Sequence, residues 1–320
     1  MTMGSFIMQA LAIVFAIVFA IGIAPLLSGW VNQCRAWLQN RRGPGLLQPY
    51  RVIRKLFHKD AVIATNASPL FRLVPYVEFA SMALAAGIIP TLWTGLPFAA
   101  AADTIALVGL FATARVFLAL GAMDIGTAFG SMGARREMLV GFLAEPALLM
   151  VFFTASLISH STSLPTIVGV LAQGHLAIYP SLAFASVSFL MVLIAENARI
   201  PVDNPSTHLE LTMIHEATVL EYSARHLALI EWSSSLKLLN YVCIGLALFV
   251  PWGLAQGLGS PPAFMLSVPA LLLKLLVAGL GLALIETINA KMRIFRVPEF
   301  LASAFLLAVL GLLVHLLLGY

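Results

Sequence analysis

Residues 196–231 read ENARIPVDNPSTHLELTMIHE and run on through ATVLEYSARHLALIE. The stretch holds Glu196, Asp203, Glu210, Glu216, Glu221 and Glu231 together with His208, His215 and His226, so titratable groups are far denser here than in the apolar remainder. Carboxylates and imidazoles in this density suit proton transfer, because imidazole gains and loses a proton near neutral pH. They also suit the solvated surface of a loop. They do not suit a zinc site. Asn204 followed by Pro205 predicts a helix start, Thr207 and Glu210 have capping-box spacing, and a helix over 206–218 follows. On it His208 and His215 stand about 10 Å apart along one face, too far for one ion with bonds near 2 Å.

The elements that must hold these groups are membrane helices. Of the 320 residues, 61% are hydrophobic and only 10% charged, against roughly 25% charged in a soluble domain. Apolar runs near 5–29, 70–93, 103–122, 137–159, 177–198, 232–255, 264–290 and 297–318 are each about a bilayer long. They predict an all-α polytopic protein of about eight transmembrane helices, one integral membrane domain over 1–320. The runs lack the alternation and brevity of barrel strands. The first run has no convincing cleavage site and reads as a retained helix.

Loop charge sets the orientation. Arg35, Arg41, Arg42, Arg51, Arg54, Lys55, Lys59 and Arg72 fall between runs one and two, Arg135 and Arg136 between three and four, Arg199 and Arg225 between five and six, and Lys291, Arg293 and Arg296 between seven and eight. The intervening loops near 94–102, 160–176 and 256–263 contain no Lys or Arg. Positive loops stay cytoplasmic, which places both termini on the outer side and large inner loops on the cytoplasmic side of the inner membrane. In the first inner loop, Tyr50, Val52, Ile53, Leu56 and Phe57 share one helical face, with Arg51, Arg54, Lys55, His58 and Lys59 on the other. That is an interfacial amphipathic helix, preceded by a basic turn, Arg41–Arg42–Gly43–Pro44. The ledge suits lipid or an acidic partner surface; nothing points to nucleic acid.

Ionisable groups also fall inside the runs: Glu78, Arg115, Glu145, Lys274 and Glu286, with Asp124 just past the third run in a Gly-rich inner loop. A charge at the bilayer centre costs about 3 kcal/mol or more, so these groups predict a polar seam within the bundle, either structural ion pairs or a proton relay. Cys34 and Cys243 are too few for a disulfide framework or for the roughly four ligands of an iron–sulfur cluster. Walker, nucleophile-elbow and HExxH motifs are absent. Any redox centres therefore belong to other chains.

Four segments, RRGPGLLQPYRVIRKLF, RVFLALGAMDIGTAFGSMGARRE, ENARIPVDNPSTHLEL and EYS, resemble the membrane subunit that attaches the peripheral arm in group 4 membrane-bound hydrogenases. This is the formate hydrogenlyase subunit 4 and hydrogenase-4 component C family, similar also to the corresponding subunit of respiratory NADH:quinone oxidoreductase. The direct junction of RRGP to LLQP favours the hydrogenase-like branch. The resemblance implies a non-catalytic subunit of an oxidoreductase complex. It docks soluble iron–sulfur and hydrogenase-like subunits through Arg41, Arg42, Gly43, Pro44, Arg51 and Arg54, and couples electron transfer to proton or sodium translocation by antiporter-like membrane subunits. It implies a coupling loop of Glu196, Arg199, Asp203, Glu210 and Glu221 and a buried relay including Arg115, Asp124, Glu145, Lys274 and Glu286. No cofactor is expected on this chain, and quinone entry beneath the inner loops stays open. The chain departs from the family in Ser206 and His208, which stand where further acids are usual, and in about three extra residues, with His215 and Glu216, before EYS. The competing readings are a self-sufficient secondary cation/proton transporter, disfavoured by the lack of an internal repeat, and a passive anchor.

Overall fold

The computed structural model describes residues 3–93, 103–173, 179–203, 213–255 and 261–318. Its elements in order are α1 (Met3–Leu38), α2 (Gln48–Phe57), α3 (Pro69–Ile88), α4 (Thr104–Asp124), α5 (Ala128–Ser159), α6 (Leu164–Gln173), α7 (Pro180–Glu196), α8 (His215–Val219), α9 (Ala224–Phe249), α10 (Pro261–Ile288) and, after a 3₁₀ turn at Ile294–Arg296, α11 (Val297–Leu318). No strand is formed among the described residues, and the predicted all-α membrane architecture holds. Seven helices, α1, α3, α4, α5, α9, α10 and α11, are long and apolar enough to cross a membrane. The remaining predicted span, α7, has 17 residues, about 26 Å of helix.

The loops sort to two ends as their charge requires. At the basic end, Asp124 accepts from Ser68 N (2.8 Å), Asn66 donates to Ile125 O (2.8 Å), Arg136 to Met213 O (2.7 Å) and Met292 N to Pro201 O (2.9 Å). At the opposite end, Ala255 N donates to Leu92 O (3.0 Å) and Thr104 N to Thr162 O (3.2 Å). Because α7 joins one set to the other, it too traverses the bundle, and the eightfold alternation read from Lys and Arg is retained.

Local chemistry explains the helix starts. Ser68 accepts from Leu70 N with Pro69 in the first turn, Asp103 accepts from Ile105 N, and Thr127 accepts from Gly130 N, each satisfying an amide that has no intrahelical partner. The Thr127 cap starts α5 at Ala128, so the stretch read as a Gly-rich loop is largely helix and Glu145 falls near the middle of a 32-residue element. α6 lies within an expected loop; Leu164, Ile167 and Val168 are buried, but ten residues are too few to cross. α8 overlaps the end of the helix predicted over 206–218. Asn204, Pro205, Thr207, His208 and Glu210 lie outside the described residues.

Close crossings rely on small side chains. α11 buries Ala304, Ala308 and Gly311 against α5 and α7, with Ser188 donating to Ala304 O at 2.7 Å, the pattern by which membrane helices approach without large side chains. α2 lies on α1 and α9, burying Ile53 and Leu56 and leaving Arg51, Arg54, Lys55 and Lys59 exposed. The basic turn before it is clasped by Gln33, whose Oε1 accepts from Gly45 N at 3.0 Å. A Cβ at Gly29 would run into the Leu46 carbonyl. Gly29→Ala is therefore expected to destabilise the protein by about 1–3 kcal/mol, seen as a lower midpoint of thermal unfolding in detergent.

Candidate functional site

The centre of the site is a guanidinium laid across a glycine. On α5, Glu137, Gly141 and Glu145 recur every four residues and so share one face. Arg115 of α4 lies over Gly141, where any Cβ would meet its side chain. From there it reaches Glu137 at 3.9 Å and bonds to Glu145 and, on its other nitrogen, to Glu196 at the end of α7. Glu196 also takes Lys237 of α9 at 3.1 Å. One turn earlier on α9, Ser233 donates to Glu78 of α3 at 2.6 Å, and the second Glu78 oxygen, buried, has no hydrogen-bond partner. Phe111 and Tyr241, stacked with ring centroids 4.8 Å apart, wall the group off from the apolar core.

Arg115 is 3% exposed at its side chain and Glu196 1%, whereas Glu145 is 29% exposed. Four carboxyls thus face two cations in a low-dielectric interior. Cations fixed in number leave part of that negative charge uncancelled, and an unbalanced buried charge is costly; a proton is what can balance it. The arrangement can therefore hold and exchange protons, with Glu145 at its outer margin.

A second group sits at the basic end. Glu286 of α10 joins Arg199 at 3.0 Å and Arg35 of α1 at 3.3 Å. Asp203 joins Lys291 at 3.1 Å and accepts from the backbone of Ile214 (3.2 Å) and His215 (3.3 Å). Arg35, Arg199, Asp203, His215 and Glu286 border a cavity of about 290 Å³ that opens beneath α2 and the Pro44–Gly45 turn. A smaller cavity, about 20 Å³, lies against Glu78, Arg115, Glu137, Glu196 and Lys237. Behind it Tyr222 stacks on Phe71 at 4.0 Å. Burial, reinforced by the carboxylates of Glu78 and Asp124, pushes the Tyr222 phenol well above its usual range, so it is a neutral wall residue.

The structure brings together Arg115 and Glu145 of the predicted relay and Glu196 of the predicted coupling loop. Lys274 is elsewhere: its ammonium bonds to the carbonyls of Val250 (2.6 Å) and Trp252 at the opposite end of the bundle. Depth along a helix does not reveal its facing direction, and the flexible stem lets a lysine reach for a helix terminus. Asp124 is also apart, because at the end of α4 its short side chain meets the nearest free amide, that of Ser68. Glu286, Arg199 and Asp203 belong to the second group, and Glu221 is exposed. Arg41, Arg42, Pro44, Arg51 and Arg54 are all exposed and Gly43 is half-buried; of these, Pro44 borders the cavity. Glu137 and Lys237 are the members that sequence reasoning missed. The eight-residue spacing to Glu145, two helical steps of four, signalled the first, and a lone lysine in an apolar helix signalled the second.

Residues 10–317 match the family model described as NADH dehydrogenase. Hydrogenase-4 component C of Escherichia coli (strain K12) is 35% identical over 303 residues, covering 93% of this chain and 94% of that protein. Formate hydrogenlyase subunit 4 of the same organism is 33% identical over 289 residues, 90% and 93% of the two chains. In fold, the chain matches a chain of the membrane-bound sulfane sulfur reductase, an archaeal respiratory membrane complex. That match has a TM-score of 0.79 at 18% identity and covers 95% of this chain and 98% of the other.

Proposed function

Because this chain belongs to the NADH dehydrogenase family, we propose that it is the membrane subunit of a multisubunit energy-converting redox complex, of the hydrogenase and formate hydrogenlyase kind, in the cytoplasmic membrane. Its basic face receives soluble iron–sulfur and hydrogenase-like subunits, and its interior passes the energy of electron transfer, as proton movement, to antiporter-like membrane subunits alongside. The observation that carries this reading is the Arg115 cluster, with Glu137, Glu145 and Glu196 around one guanidinium, set behind a vestibule bordered by Arg35, Arg199, Asp203 and Glu286.

Iron–sulfur clusters on partner chains would supply the electron transfer. This chain's own residues do not fit one: Cys34 and Cys243 are buried on α1 and α9 respectively, and about four ligands are needed. What the chain contributes is a docking ledge, charged groups that face the docked subunit across the vestibule, and a buried acid–base cluster.

Purification through this chain in mild detergent is expected to recover iron–sulfur subunits, detected by mass spectrometry and by bound iron and sulfide. Arg51→Glu with Arg54→Glu is expected to reduce that recovery at least several-fold and to make it more salt-sensitive, since exposed charge pairs are screened within about 10 Å at 0.1 M salt. Recovery of the wild-type chain with no iron–sulfur partner overturns the reading.

A further inference from the structure

The two cavities at the basic end are not independent. His215, Asn197, Ala198 and Ser234 border both the open vestibule of about 290 Å³ and the buried 20 Å³ cavity. They form a neck between water and the Arg115 cluster. Among these four, only His215 carries an acid–base side chain. The buried cavity is about the size of one water, and Glu78, one of whose oxygens has no hydrogen-bond partner, borders it. His215 thus stands between Glu78 on the buried side and Glu231 on the vestibule side.

We propose that His215 is the proton-transfer residue of the neck, carrying protons between the vestibule and the buried carboxyl cluster. This deepens the reading of the chain as a proton-coupling subunit and rests on it. Electrostatically, His215 is flanked on the vestibule side by Glu216 and Asp203 of its own loop, Glu231 of α9, Arg35 of α1, Arg199 and Glu286 of α10. On the buried side it meets Glu78 of α3, Arg115 of α4, Glu137 of α5, Glu196 of α7 and Lys237 of α9. Acids outnumber bases on both sides, which favours passage of a positive charge through the neck. The segment is anchored through backbone: His215 N donates to Asp203 at 3.3 Å and Thr218 Oγ1 to His215 O at 2.7 Å. A change of the side chain leaves both bonds in place.

The test uses membrane vesicles containing the assembled complex and reads protons translocated per electron. His215→Asn is expected to lower this ratio about tenfold or more, the scale of a lost acid–base group, with assembly intact. His215→Gly is expected to regain part of it when imidazole is added, which a purely structural histidine would not do. Ser234→Leu, which narrows the neck and keeps the imidazole, is expected to lower the ratio as well; if neither His215 variant assembles, a wild-type ratio in Ser234→Leu overturns passage through the neck. Wild-type ratios in these variants, alongside a lowered ratio in Glu145→Gln, overturn the role of His215 and leave the coupling function standing. Wild-type ratios in all of them, Glu145→Gln included, remove the coupling function itself.

Discussion

Arg115→Met is expected to destabilise the protein by about 3–5 kcal/mol, the scale of a buried ion pair broken from one side. The reason is the number of acids that depend on one guanidinium. Glu137, Glu145 and Glu196 arrive from α5 and α7 and meet Arg115 of α4. Among the described residues, Lys237 is paired with Glu196 alone. Without the arginine, two carboxyls on α5 face each other across Gly141 with no cation between them, and the contact between α4 and α5 opens. Glu137→Gln should cost much less, because Arg115 keeps two other partners. The measurement is thermal or denaturant unfolding of the purified chain in detergent. Adding Glu196→Gln and Glu137→Gln to Arg115→Met is expected to recover part of the loss, since the neutral set no longer strands a charge, and such neighbours are non-additive. A loss under about 1 kcal/mol for Arg115→Met would mean that the cluster does not hold the helices together.

The same cluster marks how far the sequence could be read. Arg115, Glu145 and Glu196 are recognisable as costly groups in apolar runs, and they converge. The loop charges separate the two ends, and the alternating faces of Tyr50–Lys59 anticipate α2, although the helix begins two residues earlier and rests on α1 and α9. What could not be read is the direction each side chain takes around its helix. Lys274 and Arg115 look alike as charges in apolar runs, yet α10 packs on α1, away from α4, and its lysine turns to the opposite end. Glu137 was hidden by a boundary. Beside Arg135 and Arg136 it looks like loop charge, but the Thr127 cap carries α5 back to Ala128 and sets Glu137 well inside the helix. Lys237 needed no structure, only the same reasoning applied to Arg115.

Glu145→Gln is expected to leave the complex assembled and lower protons translocated per electron by about tenfold or more. Two features single this residue out. It is the one acid on Arg115 that is half-exposed, 29% at its side chain against 1% for Glu196. It also stands between exposed Phe142 and Pro146 on the outer flank of α5. A carboxylate left facing lipid at that depth is costly, so a neighbouring membrane chain is expected to cover it, and the flank of α5 is where the buried cluster hands its proton on. Glutamine keeps the size of the side chain and an oxygen for Arg115, so the helices stay joined; what it removes is the group that gains and loses a proton. Glu145→Asp, which keeps the carboxyl on a shorter stem, should retain part of the function. Electron transfer that continues while the proton ratio falls would place Glu145 on the path. An assembled, active Glu145→Gln complex with an undiminished ratio would reduce the cluster to ion pairs that fasten helices.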